Sequence, residues 1–260
     1  MKSDFVSEMK RAVSSAVPDA NVFVFDSVGS TSDEARKYAA SCKKNAFFIS
    51  REQTAGRGRR GRGFVSRDGG LYMSYFFKPR LLAREAIMLT VFSAVALLRT
   101  VEELSGAKPE IKWVNDLFLG SKKLAGILAE GEFTPDGEGF EYAVVGIGVN
   151  LHGKSLPEEI DEIATTLERE TDTRVNITEF AASLAKKLAA FEEELSACYM
   201  ESYRTHSAVV GKRIRAKIAD KEIFCEALGI EDDGALRVRI IDTGEIKSLY
   251  SAEVSVVYPT

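Results

Sequence analysis

Residues 53–63 read Gln-Thr-Ala-Gly-Arg-Gly-Arg-Arg-Gly-Arg-Gly, four glycines and four arginines in eleven positions. Such a stretch cannot bury apolar surface and its glycines are costly to order, which predicts a mobile loop. It lies between two strand patterns. Residues 47–50 are an apolar run leading straight into it. Residues 71–78 alternate Leu71, Met73, Tyr75, Phe77 against Tyr72, Ser74, Phe76, Lys78, as a strand with two different faces does. Residues 51–67 hold six Arg against one Glu, a local charge of about +5 on a chain of formal net charge −4. A cationic loop on an acidic protein reads as a local anion clamp rather than part of a broad basic face. Glycine lets the backbone approach a ligand, and arginine offers paired donors to carboxylate or phosphate. A solvated RG tract that touches RNA is the alternative.

Upstream, Phe5, Met9, Ala12 and Ala16 fall at helical spacing before Pro18. Residues 22–25 predict a short strand and 26–32 a turn. Thr31-x-x-Glu34 has the form of a capping box for a helix to about Ala40. Downstream, 85–104 predicts a helix with few polar positions before Arg99, buried on most sides. A strand at 111–114 runs into Asn115-Asp116, and strands at 123–133 and 140–149 are joined by a turn-rich connection. Phe180, Leu184, Leu188, Phe191, Leu195 and Tyr199 describe one face of a single long helix over 177–199. From about 207 come five short strands, 209–218, 222–230, 235–241, 246–250 and 254–257, with turn signals at Asp232-Asp233-Gly234 and Asp242-Thr243-Gly244. The expected architecture is an α+β domain on a mixed or antiparallel sheet, residues 1–206, followed by a small SH3-like β-barrel, residues 207–260.

The bulk numbers agree with an ordinary globular chain. It has 260 residues, 45% hydrophobic and 28% charged. A pI near 5.5 argues against non-specific binding to nucleic acid or a membrane surface. Cys42, Cys198 and Cys225 are far apart and odd in number, which implies no disulfide framework and a reducing compartment. His152 and His206 make no recognised metal spacing with them. Residues 1–20 do not read as a secretory signal. The uncharged apolar run at 86–98 has thirteen residues, short of the roughly 20 that span a bilayer. A soluble cytoplasmic protein is expected.

Five polar clusters fall at strand ends or in loops: Ser30-Thr31, the loop at 53–63, Lys112-Trp113-Val114-Asn115-Asp116, Lys123-Leu124-Ala125-Gly126, and Gly146-Ile147-Gly148-Val149-Asn150. Each alone has a plain structural explanation, as a cap, a solvated strand-end lysine or a close-packed glycine. None is a Walker A loop, and no βαβ unit surrounds GRGRRG as a dinucleotide turn requires. Together and in this order they resemble the biotin–protein ligase family. The resemblance rests on Ser30-Thr31, QTAGRGRRGRGF (53–64), LYMS (71–74), KWVNDL (112–117), KLAGIL (123–128) and GIGVN (146–150), and it is weaker through the C-terminal strands.

That resemblance implies a class II synthetase-like catalytic domain. It implies a ligase that makes biotinyl-5′-adenylate from biotin and MgATP, then passes biotin to a lysine of a biotin carboxyl carrier protein domain of acetyl-CoA carboxylase or a related carboxylase. By the same resemblance, Ser30, Thr31 and Gln53 serve the ureido end of biotin or its neighbourhood, and Ser32 and Gly56 also belong with biotin. Arg57, Gly58 and Arg59 close over its carboxylate and the adenylate phosphate. Lys123 reaches the same oxygens, and Lys123, Arg59 and Arg57 are the expected catalytic groups. Arg59, Arg62, Lys112, Asn115, Asp116 and Asn150 belong with the nucleotide, Asp116 also with Mg2+. Gly126, Gly146 and Gly148 keep the pocket wall thin. Val114 stands where the family commonly has Pro, which should slightly loosen the approach to Asn115, and Phe64 stands where it commonly has Trp. With about 20 residues before the first core strand, a DNA-binding domain and repressor role are not expected; monomer and homodimer both remain open. A lipoate–protein ligase or octanoyltransferase is the alternative enzyme, against which RGRRGR and KWVND weigh.

Overall fold

The computed structural model describes residues 2–41, 44–190, 197–218 and 221–257. A seven-stranded sheet forms the larger part. Its strands are β1 (Asn21–Val28), β2 (Ala46–Gln53), β3 (Gly70–Phe77), β4 (Glu110–Lys112), β5 (Asp116–Leu119), β6 (Lys122–Phe133) and β7 (Phe140–Asn150), in the order β1-β2-β3-β7-β6-β5-β4. Among the described residues of this sheet only β1 and β2 pair in parallel; the other ladders are antiparallel. The expected mixed sheet is therefore present.

Alternation along the strands sorts the two faces. Phe47 and Ile49 of β2, Leu71, Met73, Tyr75 and Phe77 of β3, and Val145, Ile147 and Val149 of β7 enter the main core. That core is closed by α1 (Lys2–Ala16), α3 (Ile87–Ser105) and α6 (Ile177–Ala189); the short helices α4 (Glu158–Asp161) and α5 (Leu167–Thr171) come between β7 and α6. Helix α3 is apolar nearly all round, buried from Leu89 through Leu98, and stops at Gly106 in the left-handed region, φ 68°. The opposite face carries α2 (Thr31–Ala39), where Ala35 packs with Phe48, Phe76 and Val144. The rest of that face is open and holds the site.

Three local expectations change. Thr31 does not cap α2: the N-cap is Ser30, and the Thr31 amide donates instead to Gln53 Oε1. The helix expected over 177–199 ends at Ala189 and a separate α7 (Ala197–Thr205) follows; Phe191 and Leu195, like Cys42, lie outside the described residues. The C-terminal strands β8 (Arg213–Ile218), β9 (Lys221–Ile230), β10 (Leu236–Ile240), β11 (Ile246–Leu249) and β12 (Glu253–Val256) form an antiparallel sheet in the order β11-β10-β9-β8-β12. Among the described residues no ladder joins β11 to β12, so barrel closure is not seen.

The two sheets share one core, in which Ile214, Cys225, Leu236, Val238 and Val254 continue the cluster of the larger part. Trp113 donates its indole N–H to the Gly234 carbonyl at 3.0 Å, and Tyr203 donates to the Val114 carbonyl at 2.8 Å. The segment leading to Asn115-Asp116 is thus fixed by α7 and by a turn of the second sheet. No helix among the described residues is long and apolar enough to cross a membrane.

Candidate active site

Strand register gathers the separated motifs. Tyr72, Gly148, Gly126, Asp116 and Lys112 occupy one transverse row across β3, β7, β6, β5 and β4. The neighbouring row holds Ser74, Gly146 and Leu128. Because side chains alternate, the residues of Gly146-x-Gly148-x-Asn150 share the open face with these rows. The result is a cavity of about 400 Å3, within the usual range for a small-molecule site.

The glycines make its floor. A Cβ on Gly148 would lie 2.5 Å from Phe64 Cε1, and one on Gly126 3.1 Å from both the Phe64 ring and Lys123 Nζ. A Cβ on Gly146 would lie 2.6 Å from Ser32 Oγ. Their bare backbone lets the Phe64 ring, the Lys123 ammonium and the Ser32 hydroxyl lie directly on the sheet. At one wall, the start of α2 brings Ser30, Thr31 and Ser32 to the cavity, all of them buried. Gln53 joins them through its Oε1, which accepts from the Thr31 amide at 2.9 Å and the Thr31 hydroxyl at 3.1 Å.

The arginine–glycine loop, expected to be mobile, is folded here as a tongue with backbone hydrogen bonds of its own. Phe64 N donates to Gly56 O, Gly58 N to Arg62 O, and Gln53 N to Ser66 O. Arg60 and Gly61 turn its tip in the left-handed region, φ 57° and 74°. Arg57, Gly58, Arg59 and Arg62 line the cavity, whereas Gly56 sits at the neck, where a Cβ would strike Phe64 O at 2.4 Å. Arg57 reaches Glu130 at 2.7 Å and Asp33 at 3.3 Å; Glu130 also accepts from Arg36. Arg59 donates to Asn115 Oδ1 at 3.0 Å and Ser251 Oγ at 3.2 Å.

At the opposite wall, Lys123 Nζ lies 2.8 Å from Asp116 Oδ1. Asn115 Nδ2 donates to Asp116 Oδ1 and to Ile127 O. Lys112 lies 5.0 Å from the centre of the Phe118 ring, and burial, opposed by Asp116, pushes its pKa below the usual lysine range. Burial and then the neighbouring Arg60 lower that of Arg59. Asn150 donates to Thr165 O at 3.1 Å. Asp116 and Glu253 are the carboxylates of the wall, and each already holds a cation, Lys123 or Arg62. Among the described residues no three His, Cys, Asp or Glu side chains come together as a metal centre. The donor set suits a metal that arrives on a phosphate ligand, with Asp116 as a supplementary oxygen, rather than a resident ion.

Every residue expected from the sequence, Gly56 apart, therefore lines one cavity. Sequence reasoning missed Ala252, Glu253 and Val254 of the second sheet, and Ile160, Ile163 and Ala164 at the rim. It also missed Ser74, fully buried beneath Thr31 and Ser32. Ser74 stood in the alternating strand pattern and closed the LYMS motif, but neither signal tied it to the hydroxyls of α2.

Comparison with known proteins adds the following. Residues 24–150 match the Biotin/lipoate A/B protein ligase family, and residues 209–257 the biotin protein ligase C-terminal domain. The biotin–[acetyl-CoA-carboxylase] ligase of Paracoccus denitrificans is 34% identical over 81% of this chain and 90% of its own. The bifunctional ligase/repressor BirA of Bacillus subtilis is 29% identical over 95% of this chain and 78% of its own. Among solved structures, a biotin protein ligase from Leishmania major in complex with biotinyl-5-AMP superposes with a TM-score of 0.62 at 25% identity, covering 89% of this chain and 99% of that one. One from Aquifex aeolicus in complex with biotin and ATP shares the fold, with a TM-score of 0.74 at 24% identity over 92% and 99% of the two chains.

Proposed function

The chain belongs to the biotin protein ligase family, and from that premise we propose that it activates biotin with MgATP and transfers it to a lysine of a biotin carboxyl carrier domain. The observation that carries this is the convergence of five sequence-separated motifs on one cavity, with hydroxyls at one wall and the cations Lys112 and Lys123 at the other. The match of residues 209–257 to a biotin protein ligase C-terminal domain favours biotin over lipoate.

In the first step a carboxylate oxygen of biotin attacks the α-phosphorus of ATP. The bond to the bridging oxygen of the β-phosphate breaks, and pyrophosphate leaves. Two anions must meet, so the barrier falls where fixed cations offset their repulsion and the charge of the transition state. Lys123 does this from the sheet and Arg59 from the loop. Lys123 exchanges its contact with Asp116 for the substrate oxygens. Lys112, Asn115, Asp116, Arg62 and Asn150 hold the nucleotide, and Asp116 would offer an oxygen to a Mg2+ carried on its phosphates, which would offset their charge. Ser30, Thr31, Ser32 and Gln53 hold the ureido ring, and Gly58 and Arg57 close the loop over the carboxylate. In the second step the carrier lysine, as free amine, attacks the acyl carbon and AMP leaves. No side chain of this protein is the nucleophile. The folded loop keeps water from the hydrolysis-prone mixed anhydride meanwhile.

Residues 1–206 act as the catalytic domain. Residues 207–260 act as a C-terminal domain that completes the cavity through Ala252, Glu253 and Val254. The test is incubation with biotin, MgATP and a biotin carboxyl carrier domain, probing for covalent biotin. Labelling of the carrier lysine is expected. Lipoylation or octanoylation under matched conditions, with no biotinylation, would overturn the assignment.

A further inference from the structure

The hydroxyls at the α2 wall form a chain whose direction can be worked out. The Thr31 amide must donate, so the Gln53 atom facing it is the acceptor Oε1, at 2.9 Å. The Thr31 hydroxyl, 3.1 Å from the same oxygen, can only donate to it. A hydroxyl has one proton. In the 2.8 Å contact between Thr31 Oγ1 and Ser74 Oγ, Ser74 is therefore the donor. That uses Ser74's proton, so in the 3.0 Å contact between Ser74 Oγ and Ser32 Oγ the donor is Ser32. On the far side Gln53 Nε2 donates to Ser66 Oγ at 2.9 Å, and Ser66 donates to Phe64 O at 3.0 Å. Protons point one way, from Ser32 through Ser74, Thr31, Gln53 and Ser66 to the backbone at the base of the loop.

Ser32 begins this chain. Its only proton is spent inward, so to a ligand in the cavity that Ser32 lines its hydroxyl offers lone pairs alone. Ser74 is fully buried and Ser32 nearly so, so water does not readily reset the order. We propose that Ser74 is a specificity-determining positioning residue. By taking the Ser32 proton it makes Ser32 a fixed acceptor, which selects ligands that bring an N–H to this point and rejects ligands that bring an oxygen. The selected chemistry is a cyclic urea, not the corresponding carbamate. This rests on the biotin assignment and deepens it. It places the discrimination in a residue that touches no ligand itself.

The test compares biotin with its two carbamate analogues, in which one or the other ring N–H is replaced by oxygen. kcat/KM for adenylate formation is measured for wild type, Ser74→Ala and Ser74→Cys. The readout is the ratio of biotin to analogue on the same protein, which cancels any loss of correctly folded enzyme. Wild type should prefer biotin over the analogue presenting oxygen to Ser32 by about a hundredfold, because acceptor would face acceptor. In Ser74→Ala the Ser32 proton is released and the hydroxyl can turn to donate, so the ratio should fall to about tenfold or less. Ser74→Cys keeps the volume with a poorer hydrogen-bond partner and should fall between. In Ser74→Ala, KM for biotin should rise with kcat unchanged, since the reacting carboxylate lies away from this wall. An unchanged ratio in both variants, for both analogues, would overturn the proposal. A wild-type protein that activates no biotin would overturn the ligase assignment and the relay's ligand together, whereas an active wild type with unaltered ratios defeats the relay alone.

Discussion

Arg62 grips Glu253 across 191 residues of chain, with its two terminal nitrogens 2.6 and 2.8 Å from the two carboxylate oxygens. The loop is therefore latched to the second sheet as well as to β6 and α2. The latch is light, because the Arg62 side chain is 67% exposed and exposed ion pairs are worth about 0.5 kcal/mol. Glu253→Gln should raise the open fraction of the loop about twofold and speed trypsin cleavage after Arg57, Arg59, Arg60 and Arg62 to match. Cleavage at Lys186 and Lys187 should not change. Biotin with MgATP should protect the loop in both proteins. Equal loop cleavage with and without these ligands would show that the tongue does not close on them.

Arg59→Ala removes the contacts that tie the loop to Asn115 and to Ser251 of the second sheet's segment. Adenylate should then leave the site more readily, so biotin on bystander proteins should rise relative to the carrier even if total synthesis falls. A variant that retains its adenylate as long as wild type does would exclude this gating role.

The five polar clusters were legible as sequence because their chemistry is unusual: arginines among glycines, lysines at strand starts, glycines two apart. Register then explains why they belong together, since Gly148, Gly126, Asp116 and Lys112 share one row. Glu253 was not legible. It is one acidic residue among many and takes its meaning from Arg62, to which only folding brings it. Ser74 was hidden for a related reason, as a serine in an alternating strand announces a face and not a partner. Thr31 misled because its spacing to Glu34 imitates a cap, while Gln53 offers its amide a better acceptor. The open edge between β11 and β12 depends on long-range pairing that local turn signals do not encode.

Lys112 supplies a pH signature. Burial lowers its folded-state pKa while the unfolded chain keeps the ordinary value. Between those two values the unfolded state holds a proton that the folded state has shed, so stability should rise with pH across that alkaline window. kcat/KM for ATP should fall across the same window as the cation is lost. In Lys112→Met this contribution to both slopes should vanish. A variant that keeps the wild-type pH dependence of kcat/KM for ATP would remove Lys112 from the nucleotide site.

Tyr203 is fully buried and its hydroxyl is the donor to Val114 O. Tyr203→Phe leaves that carbonyl unsatisfied beside Asn115, which should cost about 1–3 kcal/mol of stability in a denaturant titration. A loss below about 0.3 kcal/mol would mean that the contact does not hold the Lys112–Asp116 segment.

The central claim is that biotin is activated as an adenylate in this cavity with Lys123 on the reacting oxygens. Its most direct test is exchange of labelled pyrophosphate into ATP, with and without biotin, by wild type and Lys123→Met. Wild type should exchange only when biotin is present. Lys123→Met should fold normally, as judged by circular dichroism, yet lose on the order of a hundredfold or more, because a charge-assisted contact in a water-poor site is worth roughly 2–4 kcal/mol of barrier. Wild-type exchange that ignores biotin, or full exchange by folded Lys123→Met, would contradict the account.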